Sequence, residues 1–92
     1  MRVFVIIERA EDGYSAYAPD VGGCVSVGKT FEKICANIQE ALELHYEGMI
    51  AEGMELPLLR NESEIVKEVS FTRGNILVSV PIDLPDHHVK AA

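Results

Sequence analysis

The chain has 92 residues, of which 48% are hydrophobic and 25% charged, a composition that indicates one small globular domain and excludes a disordered segment. Its formal net charge of −7 at pH 7 disfavours binding to nucleic-acid backbones and favours basic protein partners. Two cysteines are too few for a disulfide framework, and the apolar run at residues 3–7 is too short for a signal sequence or a membrane span. We therefore expect a cytoplasmic protein.

Three strand-like runs in the first third of the chain predict an antiparallel meander. The runs cover residues 3–7, 14–18 and 24–27. The first run is almost wholly apolar and rich in β-branched residues, which is typical of a central strand covered on both faces. Asp12-Gly13 between two such runs is a hairpin signal, and Gly22-Gly23 predicts the second turn.

A long amphipathic helix is predicted to follow the meander. Thr30 suits the N-cap because its hydroxyl can accept a hydrogen bond from a free amide of the first turn, and Glu32 complements the positive end of the helix dipole. Gly53 suits the position after the helix end, and Pro57 prevents continuation. The apolar face has the spacing of a packed helix and consists of Ile34, Cys35, Ile38, Leu42 and Met49.

The rest of the chain predicts two further strands and a tail. A connector at residues 56–61 leads into an alternating run at residues 64–71 and a second run at residues 76–82, where Pro81 marks a strand end or a sheet edge. The last strand is predicted either to complete this sheet or to pair with a neighbouring subunit. Residues 83–92 are predicted to be a frayed tail.

The predicted element order, β-β-β-α-β-β, defines a two-layer α+β fold in which the meander packs with one face on the helix. Residues 1–92 are interpreted as one domain. A chain of this size buries only about 60–65% of its unfolded surface, so its core is thin and self-association would stabilise it. The predicted core consists of Val3, Val5, Ile7, Tyr17, Val25, Ile34, Ile38, Leu42, Val66 and Val69.

The sequence predicts no catalytic residue, no cofactor and no metal site. A nuclease that holds two Mg²⁺ ions would need an acid in the middle of the first strand, whereas Glu8 lies at its exit and Asp12 in the following turn. His45 lies near the apolar helix face and is interpreted as a partly buried histidine. His87 and His88 are adjacent and would chelate a metal only weakly.

Both cysteines are interpreted as small packed residues and not as nucleophiles. Cys24 has no adjacent base, and Cys35 lies on the apolar helix face. Tyr14 and Tyr17 are interpreted as packing residues, because no Arg or Lys interleaves with them as it would in a nucleobase-stacking surface.

The order and spacing of the turn and helix-start residues resemble those of the HicB family of antitoxins. The resemblance covers residues 1–57 and is carried by Gly13-Tyr14-Ser15-Ala16-Tyr17-Ala18-Pro19-Asp20, Gly23-Cys24-Val25, Gly28-Lys29-Thr30-Phe31-Glu32 and Ala36-Asn37-Ile38-Gln39-Glu40-Ala41-Leu42. Gly22 stands where the family has proline, and Lys29 stands where it has aspartate. Both changes fall in turns and leave the core pattern intact.

This resemblance implies a partial RNase-H-like fold with a returning strand beside the first, and it implies no nuclease activity. It further implies that the chain neutralises a small basic mRNA-cleaving toxin of the HicA type and forms dimers or larger assemblies. Many family members carry a C-terminal DNA-binding domain, but a chain of 92 residues is too short for one to be expected, so direct DNA binding is not predicted. The family motif assigns structural or partner-binding roles to Tyr14, Tyr17, Pro19, Asp20, Gly23, Cys24, Gly28, Thr30 and Glu32.

Two alternative functions stay open at the level of sequence. One is a HicB-like regulatory or structural domain without a toxin, and the other is a small metal-dependent nuclease. Mg²⁺-dependent RNA cleavage that is lost in Asp20→Asn or Glu8→Gln would favour the nuclease. A basic reading frame beside this one, of about the size of a double-stranded-RNA-binding domain, would favour the antitoxin.

Overall fold

The computed structural model describes residues 1–69 and 74–84. In chain order the elements are β1 (Arg2–Ala10), β2 (Gly13–Tyr17), β3 (Val25–Gly28), α1 (Phe31–Ala51), α2 (Glu62–Glu68) and β4 (Ile76–Pro81). The four strands of this part of the chain form one antiparallel sheet in the order β3-β2-β1-β4. The α+β class and the three-stranded meander are confirmed, and β4 completes this sheet beside β1.

The strand β1 lies at the centre of the sheet and is covered on both faces. Val5, Ile6 and Ile7 follow one another and are all fully buried. Because consecutive side chains of a strand point to opposite faces, both faces are shielded at this point. The main core consists of Val3, Val5, Ile7, Ala16, Ala18, Val21, Cys24, Ile34, Ile38, Leu42, Tyr46, Val80 and Ile82. Ile6 and Ile65 of α2 are also buried but lie outside this main core.

Four of the predicted core residues are not buried. Tyr17 and Val69 are half-buried, whereas Val25 is 69% and Val66 is 45% exposed. Tyr17 and Val25 are paired in register and share the sheet face opposite Ala16, which belongs to the main core. The prediction is wrong for Tyr17 and Val25 because an apolar run in a short strand does not reveal which of its faces is covered. It is wrong for Val66 and Val69 because they lie in and at the end of the helix α2 and not in a strand.

The helix α1 begins and ends with the caps that its sequence predicts. The Thr30 hydroxyl accepts a hydrogen bond from the Lys33 N–H at 3.1 Å. At the other end Gly53 adopts a positive φ of 69°, and the Met54 N–H donates to the Met49 carbonyl at 2.9 Å. This is the glycine-dependent termination that satisfies the last free carbonyls of a helix.

The prediction of a strand at residues 64–71 is wrong, because residues 64–68 belong to the helix α2. Residues 70 and 71 lie outside the described part of the chain. The Asn61 side chain accepts from the Glu64 N–H at 3.0 Å, and the Glu64 carboxylate accepts from the Asn61 N–H at 3.0 Å. This reciprocal capping box stabilises a helical turn. Ile65 is fully buried while Val66 faces solvent, so one apolar side chain anchors the helix.

The start of the predicted tail is attached to the domain. The Ile82 N–H donates to the Met1 carbonyl at 2.8 Å, and the Asp83 N–H donates to the Glu43 carboxylate at 2.8 Å. Leu84 packs against the main core. The prediction of fraying is therefore wrong for residues 83 and 84, and residues 85–92 lie outside the described part of the chain. Neither helix in the described segments combines the length and apolarity that a bilayer span requires.

Candidate partner-binding surface

Four motif residues lie where the meander meets the start of α1, namely Tyr14, Gly28, Thr30 and Glu32. A Cβ atom on Gly28 would lie 2.7 Å from the Ile34 nitrogen and 2.9 Å from its Cα, so only glycine allows β3 to approach the helix backbone this closely. The Tyr14 ring packs edge-on against Phe31, with ring centroids 6.1 Å apart. Glu32 is exposed in the first helical turn. These contacts join the hairpin, β3 and α1 into one body.

Of the other motif residues, Tyr17 ends β2, and the rest belong to the loop between β2 and β3. Two backbone hydrogen bonds shape this loop, from the Val21 N–H to the Ala18 carbonyl at 3.1 Å and from the Cys24 N–H to the Val21 carbonyl at 3.3 Å. Gly23 has a positive φ of 82°, which disfavours other residues there. Val21 and Cys24 are buried in the main core, while Pro19 is half-buried. The loop is thus folded inward onto the core.

Asp20 is held by Arg60, a contact that the sequence pattern did not reveal. The Asp20 side chain is only 5% exposed and accepts hydrogen bonds from both the Arg60 backbone N–H at 2.7 Å and the Arg60 Nε at 2.5 Å. The Arg60 Nη1 also contacts the Glu68 carboxylate at 2.9 Å. Hydrogen bonds to Glu68 and Asp20 raise the pKa of Arg60, and Arg60 lowers the pKa of Glu68. This ion-pair network ties the β2–β3 loop to the connector and to the end of α2.

The two thiols are packed groups with little thiolate character. Burial raises the pKa of Cys24 and of Cys35, so neither is activated as a nucleophile. Nearby, the Tyr46 hydroxyl is buried and has no hydrogen-bond partner among the described residues. Burial, and then the charges of Asp20 and Cys24, raise the pKa of Tyr46. The phenol therefore stays protonated beneath the loop.

The acids and the histidine considered at the sequence level occupy separate places. Glu8 is half-buried near the end of β1 and accepts from the Asn75 side chain at 3.4 Å, while Asp12 is exposed in the hairpin turn. His45 is half-buried. Within residues 1–69 and 74–84, no three His, Cys, Asp or Glu side chains converge as metal ligands would. His87 and His88 lie outside those ranges.

An open groove lies on the sheet face opposite the main core, along β3. Val25 and Val27 are 69% and 70% exposed, which is unusual for valines on one strand face. The half-buried Tyr17 forms the apolar floor beside them. We call this surface the β3 groove; it has a volume of about 570 Å³ and is lined by Glu8, Ser15, Ala16, Tyr17, Val25, Ser26 and Val27. Of the motif residues, only Tyr17 contributes to it.

A second apolar surface lies at the end of α1. Leu44 is 63% and Met54 is 54% exposed, and both line a groove with His45 and Met49. In the connector, Leu58 is 91% exposed. The two grooves together carry four of the large apolar side chains that are exposed among the described residues. Contiguous exposed apolar patches are typical of protein-binding surfaces.

The sequence of this chain matches a known family of proteins. The chain is a member of the HicB-like antitoxin family of bacterial toxin–antitoxin systems, whose family model matches residues 3–92. A UPF0150 protein of Helicobacter pylori (strain J99) is 36% identical over 71 residues, which are 77% of this chain and 96% of that protein. A UPF0150 protein of Synechocystis (strain PCC 6803) is 45% identical over 68 residues, which are 73% of this chain and 82% of the relative.

Solved structures share the fold. A chain of the HicA3 and HicB3 toxin–antitoxin complex is 32% identical, with a TM-score of 0.69, and the match covers 90% of this chain and 99% of that one. The N-terminal domain of Burkholderia pseudomallei antitoxin HicB is 25% identical, with a TM-score of 0.74 and coverage of 91% and 100%. The chain spans only 62% of the antitoxin HicB3 crystal structure and 59% of a 14.9 kDa protein of Haemophilus phage HP1, which it matches at 34% identity.

Proposed function

We propose that this chain is an antitoxin that binds and neutralises a small basic mRNA-cleaving toxin of the HicA type, with no catalysis of its own. The observation that carries the proposal is the match of 90% of this chain to nearly all of a chain from a HicA3–HicB3 complex, at 32% identity. Family membership over residues 3–92 supports it. The proposal concerns the toxin-binding role alone and includes no contact with DNA.

Charge supports a basic partner. The net charge of −7 creates an attractive field for a positively charged protein, which raises the association rate at low ionic strength. The solvent face of α1 contributes Glu32, Glu40 and Glu47, which are all exposed. Charged surfaces steer the encounter, while buried apolar contacts supply most of the affinity of a complex.

The non-catalytic part of the proposal is supported by what the candidate acids do. The Asp20 carboxylate is engaged by Arg60 and is almost inaccessible, and Glu8 lies beside Asn75. A two-metal nuclease needs several acids around one point, which these contacts do not supply. Purified chain incubated with RNA and Mg²⁺ should leave the RNA intact, and cleavage lost in Glu8→Gln would establish the nuclease alternative instead.

The direct test of the function is growth in bacteria. The HicA-type protein proposed as the partner would be expressed from one inducible promoter and the chain from another. We expect the toxin alone to stop growth and the pair to grow normally. Continued arrest in the presence of soluble, folded chain would contradict the proposal, because a neutralising antitoxin must act whenever it is present in excess.

We also propose that the chain self-associates and acts in the cytoplasm. The thin core of a small domain and the exposed Leu44 and Met54 support self-association. The pair of free cysteines fits a reducing compartment. Light scattering at micromolar concentration should give a mass above that of one chain, and a monomer would contradict this part of the proposal.

A further inference from the structure

The outer edge of β3 carries backbone groups that no strand within residues 1–69 and 74–84 uses. The sheet order places β3 at one end, with β2 on its inner side. Tyr17 pairs with Val25 and Ser15 with Val27, while the Ala18 N–H donates to the Cys24 carbonyl. In an antiparallel pair, hydrogen-bonded and non-hydrogen-bonded positions alternate. Val25 and Val27 therefore occupy the non-hydrogen-bonded positions, and their N–H and carbonyl groups point away from β2.

The side chain of Asn37 confirms this orientation and restricts what can pair with the edge. Its Nδ2 donates to the Val27 carbonyl at 2.9 Å, so that carbonyl points outward and is already engaged. Among the described residues, no group pairs with the Val25 N–H, the Val25 carbonyl or the Val27 N–H, so an incoming strand could pair with them. On the groove face, the side chains of an added strand would pack beside the exposed side chains of both valines.

Charge and geometry favour a basic segment over a second copy of this chain. Two copies would each bring a net charge of −7 and would repel each other, whereas the same charge attracts a basic segment. A two-fold pairing of Val25 with Val27 of a second copy would compete with the Asn37 hydrogen bond in both copies. A basic strand would face that competition only once.

We propose that the basic toxin partner inserts an extended segment along the β3 edge, so that it becomes a fifth strand of this sheet beside the valines of the β3 groove. This rests on the proposed function and names the surface that performs it. Main-chain hydrogen bonds to Val25 and Val27 supply alignment, and the valine side chains supply apolar contact. The edge is available to such a strand because β3 ends the sheet among the described residues.

The test compares two lysine substitutions that change the net charge equally. Val27→Lys places a positive charge in the β3 groove, whereas Leu58→Lys places it in the connector, on a side chain that is 91% exposed. Binding of each variant to the purified HicA-type protein proposed as the partner would be measured by calorimetry, with thermal melting as the check on folding. We expect Val27→Lys to weaken binding by about tenfold or more relative to Leu58→Lys.

Hydrogen exchange supplies a second readout that needs no substitution. In the complex of the unsubstituted chain, the amides of Val25 and Val27 should exchange at least about tenfold more slowly than in the free chain, because an added strand protects outward N–H groups. Unchanged exchange at both amides would overturn the proposal even if a variant failed to fold.

The outcomes separate this inference from the function on which it rests. If the unsubstituted chain binds the toxin and the two lysine variants bind it equally, the edge assignment is overturned and the antitoxin function stands. If the unsubstituted chain does not bind at all, both fall. Loss of self-association in Val27→Lys, with toxin binding equal to that of Leu58→Lys, would overturn the inference and assign the edge to a second copy.

Discussion

Gly28 shows how a single motif residue can be required by packing alone. Its missing side chain lets β3 end directly against the backbone of Ile34 and Lys33 at the first turn of α1. Backbone atoms cannot move aside as the end of a flexible side chain can. Gly48, in contrast, lies on the exposed surface of the same helix, and a Cβ atom there would meet nothing within 4 Å.

Gly28→Ala should therefore destabilise the domain by about 2–4 kcal/mol, because β3 must separate from the helix start. The matched change Gly48→Ala should stabilise it by about 0.5–1 kcal/mol, because alanine loses less backbone freedom in a helix than glycine. Urea unfolding followed by circular dichroism measures both. Equal effects of the two changes would show that the close approach at Gly28 is not a constraint.

Asp20 has a structural role, because its side chain joins the β2–β3 loop to Arg60 of the connector. Its carboxylate satisfies two donors of Arg60 while being nearly inaccessible to solvent. Asp20→Ala should lower the free energy of unfolding by about 2 kcal/mol, since both donors lose their acceptor. Asp12→Ala, in the exposed hairpin turn, should change it by less than about 0.5 kcal/mol. A small effect of Asp20→Ala would mean that solvent replaces the carboxylate and that the loop is not fixed by it.

Among the elements, α2 is the one for which the sequence pattern predicts the wrong structure, a strand in place of a helix. Ile65, Lys67 and Val69 alternate with Val66 and Glu68, and this period of two is typical of a strand. The capping box of Asn61 and Glu64 is also visible in the sequence and indicates a helix start. In so short a segment the cap and one buried isoleucine outweigh the alternation. The long helix α1 was predictable because its period extends over 21 residues.

Asn61→Ala should destabilise the domain by about 1 kcal/mol, because the Glu64 N–H loses its acceptor. The amides of Ile65 and Val69 should then exchange faster with solvent, since α2 frays from its start. Ser63→Ala is the control, because the Ser63 hydroxyl only donates to the Asn61 side chain from an exposed position. If Ser63→Ala has the larger effect, the cap is not what holds α2.

The ion pair at the end of α2 makes part of the stability depend on pH. Arg60 lowers the pKa of Glu68 below its ordinary value of 4.5 through a hydrogen bond and its charge. Because the folded-state pKa lies below the unfolded value, this stabilisation is present above about pH 4.5 and is lost as the pH falls through the folded pKa. The effect is modest, since the Glu68 side chain is 63% exposed and salt screens the pair.

Glu68→Gln should therefore be less stable than the unsubstituted chain at pH 7, and the difference should shrink as the pH falls below about 4.5 and through the lowered pKa of Glu68. Glu55→Gln, on an exposed connector residue, should show no such trend. Melting temperatures between pH 3 and pH 7 at low salt measure both. A Glu68→Gln difference that is constant with pH would exclude the ion pair as its cause.

At the scale of the whole molecule, the family was easier to predict from the sequence than the faces of the sheet that are left exposed. Turn glycines, the Thr30 cap and the spacing of α1 identify the HicB-like fold because each has a local structural reason to be where it is. Val25 was interpreted as core, yet it is exposed on the sheet edge. Which face of an edge strand is covered depends on where α1 and α2 pack, and Arg60 meets Asp20 from 40 residues away. Such long-range contacts have no periodic signal.

The central claim is that this chain acts by occupying the surface of a basic RNA-cleaving protein. The most direct measurement titrates the purified chain into a fixed amount of the HicA-type protein proposed as its partner and follows RNA cleavage. Cleavage should fall in proportion to the chain added and stop at a fixed molar ratio, and the association rate should fall as salt rises, because a charge of −7 steers the encounter. Undiminished cleavage at a large excess of folded chain would contradict the account.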